Sequence, residues 1–309
     1  MKYGFSLIVR GNDATPDVFA RIAERAEALQ IDSLWCSAHV ILPPQVKSGY
    51  VLMPGVMHPE HWKERYWEPF TVLSYLAAVT SKITLGTSVV ILPMHNPFEL
   101  AKQVAEVDQL SAGRFVFGVG VGWFEEEFEV LGQDFHNRGK RTDEALDLMK
   151  VLWAQDPVSF SGNHYRVEDA FFAPKPVQQP SPPIWVAGAS KAALKRAARC
   201  ADAWHPARPT VEYLGKARVE LDRYLEEAGR TPESLEIAVK LPLIFQDGPP
   251  TGDQPPTQGR AGDMIDAIAR YRDAGASHMV FDFVPEKLAT ALDTMERFAQ
   301  EVRPKIPSS

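Results

Sequence analysis

Cysteine is nearly missing from this chain. Cys36 and Cys200 are the two present in 309 residues, too few for a disulfide framework and without zinc-type spacing, so a reducing compartment is expected. Positive charge is not in excess either. A formal net charge of -7 argues against a nucleic-acid or anionic-membrane surface as partner. No apolar run reaches membrane-spanning length, and Met1 to Phe5 leads straight into a strand pattern with no signal-peptide features. A cytoplasmic protein is therefore expected. Metal ligands are not grouped: His58 and His61 stand three apart in a proline-rich loop with no third ligand nearby. No metal site is expected, and a metal-dependent hydrolase lacks its ligands.

What is present is a repeated alternation. Short apolar, often β-branched runs are each followed by a helical pattern, eight times in order, which predicts a (β/α)8 TIM barrel, an α/β fold that reaches this length as a single domain. The first helix is expected to open at Thr15-Pro16, with a cap and then proline at the first helical position, and to bury Phe19, Ile22, Ala23, Ala26 and Leu29. The third strand opens at Ile83 and reads as broken at Gly86. The helix that follows it ends at Gly113, a left-handed cap. One domain over residues 1–309 is expected, with long connections at about 40–67, 157–181 and 242–262, all placed at the C-terminal mouth, where barrel enzymes keep their sites. Gly162-Asn163 in the second of these signals a hairpin.

The residues able to carry chemistry fall at strand ends. His39 follows the second strand and can exchange protons near neutral pH, or is simply a packed loop histidine. Gly120-Val121-Gly122 is half of a dinucleotide fingerprint, without the third glycine or the acidic residue that ends the next strand, so a Rossmann assignment is weak. Glycines there let a flat ring or an anion approach the backbone, or they make a tight turn. Ala187-Gly188-Ala189-Ser190 precedes a helix, where backbone N–H groups and the positive end of the helix dipole suit a phosphate; a plain cap is the alternative. The run Glu125, Glu126, Glu127 reads as a solvated helix face, with carboxylates beside Trp123 and Phe124 as the functional alternative.

Six segments taken together resemble the luciferase-like monooxygenase superfamily, nearest its branch dependent on the deazaflavin coenzyme F420: SAHVILP (37–43), LGTSVVILPMHNP (85–97), DQLSAGRF (108–115), GVGVGWFEEEF (118–128), RGKRTDE (138–144) and PPIWVAGAS (182–190). The resemblance covers roughly residues 3 to 205. It implies a barrel with a planar deazaflavin or flavin in its C-terminal mouth. His39 would face the reactive ring as the catalytic residue. Thr87, Ser88 and Val89 would lie under the ring, with a non-proline cis peptide at Ser88-Val89. Ser37, Val121, Gly122, Glu126, Ala187, Gly188, Ala189 and Ser190 complete the implied cofactor contacts, the last three holding its phosphate. Many relatives carry an acidic residue just before the histidine; here it is Ala38.

The function implied is an F420-dependent oxidoreductase moving a hydride between the deazaflavin and a small organic substrate. An FMN-dependent monooxygenase using O2 and a partner reductase is the runner-up, and a non-catalytic flavin-binding barrel is the reading from another class. Trp62 and Trp67, with Tyr66, Met53 and Met57, would give a substrate pocket apolar walls, or would pack the loop down. A homodimer is implied through the second and third helices. The face Val72, Tyr75, Leu76, Val79 suits that role or the barrel core.

Overall fold

Eight short parallel strands pair edge to edge until the last meets the first. The computed structural model describes residues 1–43, 65–248 and 257–306. In chain order the strands are β1 (Lys2–Ser6), β2 (Ser33–Cys36), β3 (Thr84–Thr87), β4 (Val90–Ile91), β5 (Phe115–Gly120), β6 (Val158–Ser161), β7 (Arg166–Ala170), β8 (Ile184–Ala187), β9 (Ala203–His205), β10 (Glu236–Phe245), β11 (Gln258–Gly259) and β12 (His278–Phe283). The helices are α1 (Pro16–Ala28), α2 (Pro69–Val79), α3 (Pro97–Leu110), α4 (Glu125–Val130), α5 (Arg138–Ala154), α6 (Lys191–Cys200), α7 (Val211–Glu227), α8 (Ala261–Asp273) and α9 (Leu288–Arg297). Pairing runs β1-β2-β3-β5-β8-β9-β10-β12 and closes from β12 back to β1, all parallel. This is the (β/α)8 barrel that the alternation implies.

Strands buried on both faces need continuous apolar runs. Accordingly β2 and β5 are buried at every position. Inside the barrel, Trp35, Val116, Trp185, Ala203, Ala238 and Val280 form one packed cluster, with the Trp35 and Trp185 rings stacked at 4.1 Å. The larger core lies between strands and helices. There α1 buries Val18, Phe19, Ile22, Ala23 and Ala26, with Thr15 as its cap, close to the expected face. Among the described residues no helix is long and apolar enough to cross a membrane.

Four details differ from expectation. The third strand breaks at Ser88-Val89, not at Gly86. Gly86 pairs with Val116 and Val90 with Val119, so one extra residue is accommodated on the β3–β4 side, a bulge. The Ser88-Val89 peptide is cis, as the resemblance implies. The connection expected from about 242 starts later, because the seventh barrel strand, β10, runs to Phe245 and β11 pairs with its end. The hairpin of β6 and β7 exists, but its connection, 157–181, sits at the N-terminal end of the barrel and not at the mouth. It follows a helix, so it must deliver the chain to the start of the next strand. Gln178 is held there by Asp108 near the end of α3 and by the carbonyl of Phe115 at the start of β5. Finally, the face on α2 is divided: Val72 and Leu76 are buried while Tyr75 and Val79 are exposed, so half of it is barrel core.

Candidate active site

His39 stands three residues past the end of β2, and its position is set by a residue 88 positions away. Its Nδ1 lies 2.7 Å from Glu127 Oε2. The other oxygen of Glu127 accepts the backbone N–H groups of Val40 at 2.7 Å and Ile41 at 3.2 Å. The Glu127 side chain is 0% exposed and that of His39 13%. Helix α4 is short and turns its third residue inward, so of the acidic run Glu127 is buried while Glu125 and Glu126 are half-buried. Because a carboxylate accepts, the proton at this contact is on Nδ1, which makes Nε2 the unprotonated, basic nitrogen of the neutral ring. The carboxylate that Ala38 does not provide is thus supplied to this histidine by α4. Tyr66, Trp123 and Phe124 surround the imidazole edge-on, with ring centroids at 5.4, 6.5 and 6.4 Å.

His39 lies on the wall of a cavity of about 190 Å³ at the C-terminal mouth, shared with Ser37, Tyr66, Ser88, Val89, Trp123 and Ala187. A larger groove, about 1000 Å³, opens at the opposite end between Lys2, Asp32, Arg114 and Asp202. The chemistry of a barrel belongs to the mouth, and the smaller cavity is the one that gathers the predicted residues. Ser37 Oγ is 2.7 Å from Tyr66 Oη, and burial pushes the Tyr66 phenol up. Ser88 Oγ is 2.9 Å from His205 Nε2. His205 Nδ1 lies 2.6 Å from the Ala238 carbonyl, so Nδ1 carries the ring proton and Nε2 accepts from the Ser88 hydroxyl. Burial pushes His205 down to about 4, which keeps that arrangement neutral.

A charged set completes the lining. Arg10, Arg208, Lys240, Asp282 and Glu286 belong to it; Lys240 lies midway along β10, Asp282 near the end of β12, and the other three just past a strand end. Arg10 forms a two-pronged ion pair with Glu286. Lys240 Nζ is 3.2 Å from Asp282 Oδ1 and donates to the carbonyl of Ser88 at 3.4 Å. Arg208 Nη2 is 3.8 Å from Asp282 Oδ2. Burial raises the Asp282 carboxyl, but Lys240, Ser6 and Arg208 outweigh it and hold the group below the ordinary range.

Other expected site residues are placed differently. Thr87 is fully buried, its hydroxyl donating to the Gly118 carbonyl at 2.7 Å and accepting the Gly118 N–H at 2.9 Å. It braces the bulge from behind and does not reach the cavity. Val121, Gly122 and Glu126 are half-buried on the segment that carries Trp123, off the cavity wall. Trp67 donates its indole N–H to the Ala14 carbonyl at 2.8 Å and meets Phe19 edge-on. It packs the chain onto α1 and is not on the cavity wall, because its N–H is satisfied there. Trp62, Met53 and Met57, like His58 and His61, lie outside the described residues. Among the described residues no group of three His, Cys, Asp or Glu is placed to hold a metal ion.

Gly188, Ala189 and Ser190 are exposed at the start of α6, directly after the cavity-lining Ala187. Gly188 has φ +115°, and a Cβ there would come within 2.9 Å of Ala193 Cβ, so this turn belongs to glycine. Ser190 Oγ caps the helix by accepting from Ala193 N at 3.2 Å. A small-residue turn opening onto a ten-residue helix beside the cavity fits an anionic cofactor tail. Arg10, His205, Arg208, Lys240, Asp282 and Glu286 were not singled out from the sequence, and Glu127 was read only as one of an acidic run. The signal available for most of them was a polar residue at the C-terminal end of a barrel strand.

A parallel barrel whose mouth combines a carboxylate-anchored histidine, a bulged third strand and a small-residue turn before a helix has the layout of a barrel-mouth active site. The chain belongs to the luciferase-like monooxygenase family, whose profile matches residues 1–250. It is 31% identical to an uncharacterised protein of Mycobacterium tuberculosis over 304 residues, 98% of this chain and 99% of that one. It is 32% identical to the FMNH(2)-dependent dimethylsulfone monooxygenase of Pseudomonas putida over 183 residues, 58% of this chain and 49% of that protein. The fold matches the monooxygenase RslO1 from Streptomyces bottropensis, with a TM-score of 0.81 at 20% identity, covering 99% of this chain and 100% of that one. It also matches the coenzyme F420 dependent tetrahydromethanopterin reductase from Methanopyrus kandleri, with a TM-score of 0.79 at 16% identity and 99% coverage of both.

Proposed function

We propose that this protein is an F420-dependent oxidoreductase acting on a small organic substrate at the C-terminal mouth. The observation that carries the reading is His39, held by the buried Glu127 at one wall of a cavity whose other contacts include the Ser88-Val89 bulge. Bound there, the reduced deazaflavin supplies a hydride to the substrate. The chain's own residues bind and orient. Ser88 and Val89 form the surface under the ring, with Thr87 bracing them. Ala187 to Ser190 receive the phosphate, and Val121, Gly122 and Glu126 flank the tail. His39 gives or takes the proton that accompanies the change at the substrate, through Nε2. Trp123 and Tyr66 restrict water at the reacting centre.

A second reading is favoured by one observation, the 32% identity to an FMNH(2)-dependent monooxygenase. In that case the same mouth holds FMN and the protein works with a flavin reductase. One titration separates the two. Absorbance and melting temperature are followed as F420 and FMN are added separately to the recombinant chain. Micromolar binding of F420 with weaker FMN binding supports the first reading; the reverse, with FMN-driven oxygen uptake, supports the second. Binding of neither sinks both. A bound cofactor without turnover on any substrate, unchanged by His39→Ala, would make the protein a binding module.

A further inference from the structure

We propose that the cavity receives the anionic head of a small organic acid, a carboxylate or a similar oxyanion, and that Arg208 is the residue that binds it. The inference deepens the reading of the mouth as the substrate site and names the substrate class. Arg208 directly follows the β9 exit, where its backbone N–H donates to the Lys240 carbonyl at 2.7 Å and its φ is +51°. Its guanidinium is therefore delivered to the cavity by a fixed backbone and not by a loose loop. The side chain is 19% exposed. Nη1 is buried and finds no hydrogen-bond partner among the described residues. A buried charged donor left unmatched is costly, and few persist in folded proteins without a partner that arrives from elsewhere.

The charges on the wall explain why that partner is an anion. Arg10 is claimed by Glu286 in a two-pronged pair. Lys240 is claimed by Asp282 at 3.2 Å. Arg208 keeps a single long approach to the same carboxylate, 3.8 Å. Three cations and two carboxylates line the cavity, so one positive charge is in excess there, and it resides on the residue with the unmatched nitrogen. Glu127 is not on the cavity lining; its oxygens face His39 and the Val40 and Ile41 N–H groups, and neither is bonded to Arg208. A neutral carbonyl can accept one hydrogen bond from Nη1 but leaves the excess positive charge uncompensated. A planar oxyanion matches the guanidinium edge with two parallel hydrogen bonds. The cavity is small, about 190 Å³, below the range for drug-sized ligands, about 300 Å³ upward, so an acid that shares the mouth with a cofactor ring is a small one. With its head on Arg208, such an acid shares the cavity with His39, which is part of the same lining.

The test uses the cofactor-free chain, so that it does not depend on which flavin is bound. Butyrate and its neutral isostere butyramide are titrated by calorimetry at low salt, with the wild type and with Arg208→Met and Arg208→Lys. Saturable butyrate binding, at least ten-fold tighter than butyramide and at least ten-fold weaker in Arg208→Met, is the expected result, with Arg208→Lys in between. F420 and FMN titrations of Arg208→Met should match the wild type. Equal binding of the acid and the amide overturns the proposal, as does full butyrate affinity in Arg208→Met. Loss of cofactor affinity in that variant without any effect on butyrate assigns Arg208 to the cofactor and also overturns it. The wild-type comparison of acid with amide stands even if neither variant folds. If no cofactor binds but butyrate does, the cofactor assignment fails and this one survives.

Discussion

His39 and Glu127 meet at 2.7 Å although 88 residues separate them, one arriving from the end of β2 and the other from α4. The contact fixes a tautomer as well as a position. Replacing Glu127 by Gln keeps the volume but offers an amide N–H where the imidazole also donates. The ring must then move its proton to Nε2 or lose the bond. Turnover in Glu127→Gln should fall roughly ten-fold to a hundred-fold, below the full general acid–base contribution of about 10²–10⁴-fold because His39 itself remains, with little change in substrate KM. The tautomer is read directly by 15N chemical shifts of His39. An unchanged ring tautomer together with unchanged kcat would rule out this role.

Removing the same carboxylate outright is a different experiment. Glu127→Ala leaves the Val40 and Ile41 N–H groups and His39 Nδ1 without their acceptor. Val40 and Ile41 are exposed, so water can reach their N–H groups, and the loss in unfolding free energy is chiefly that of the partner of His39, about 1–3 kcal/mol, measured by urea denaturation. If Glu127→Ala is as stable as Glu127→Gln, the segment after His39 does not depend on this anchor.

The barrel and the place of His39 were legible because they rest on local signals: apolar runs with helical patterns between them, and a histidine at a strand end. The cis bond at Ser88-Val89 followed from resemblance, but the register that makes the bulge did not, since Gly86 looked like the weak point and pairs normally. Glu127 was hidden inside three identical residues. Nothing in that run says which of them turns inward, because that depends on how α4 packs under the mouth. Arg208, Lys240 and Asp282 come from three strands and have no spacing in common. Only closure of the barrel brings them together. The 157–181 hairpin was readable as a hairpin, but its end of the barrel depended on recognising that it follows α5.

That hairpin gives a prediction in which stability and activity separate. Asp108 is fully buried and accepts from the Gln178 backbone at 2.9 Å and from its side chain at 2.7 Å. Asp108→Ala removes both and leaves buried donors behind, a loss of about 2–4 kcal/mol. The melting temperature should drop, while kcat/KM at 25 °C stays within two-fold of wild type, because the contact lies at the end of the barrel remote from His39. A selective loss of kcat/KM in a variant that remains folded would place the hairpin in communication with the mouth.

Two glycines on β5 make a matched pair. A Cβ on Gly118 would fall 1.8 Å from the backbone oxygen of Thr87, whereas one on Gly120 would meet a methyl of Val89 at 2.9 Å. Backbone cannot yield as a side chain can, and Gly118 also exchanges two hydrogen bonds with Thr87. Gly118→Ala should therefore cost about 3 kcal/mol or more, and Gly120→Ala about 1 kcal/mol. Thermal denaturation of the two variants decides it, and a reversed order would mean that the strand-three bulge does not sit against Gly118 in solution.

The last prediction concerns pH. His205 is pushed down to about 4 and His278 to about 3, each chiefly by burial, with the charge of His205 adding to the effect on His278. His278 Nε2 is held by Ser33 Oγ at 2.9 Å, and Nδ1 has no hydrogen-bond partner among the described residues. Both native values lie below the unfolded value of about 6.5. The unfolded chain therefore binds more protons than the native one as pH falls below 6.5, and stability declines in that direction. Between pH 6.5 and 5 each histidine contributes a loss of about 2 kcal/mol. The Asp282 carboxyl, held low by Lys240 against its burial, loses its contribution only in more acid solution, so this window isolates the imidazoles. Urea midpoints measured at pH 7, 6 and 5 should fall steadily in the wild type. In His278→Gln the slope should be clearly reduced but not abolished, since His205 and His95, both pushed down chiefly by burial, still titrate. A flat profile from pH 7 to 5 in the wild type would mean that neither ring is as buried in solution as it is among these residues.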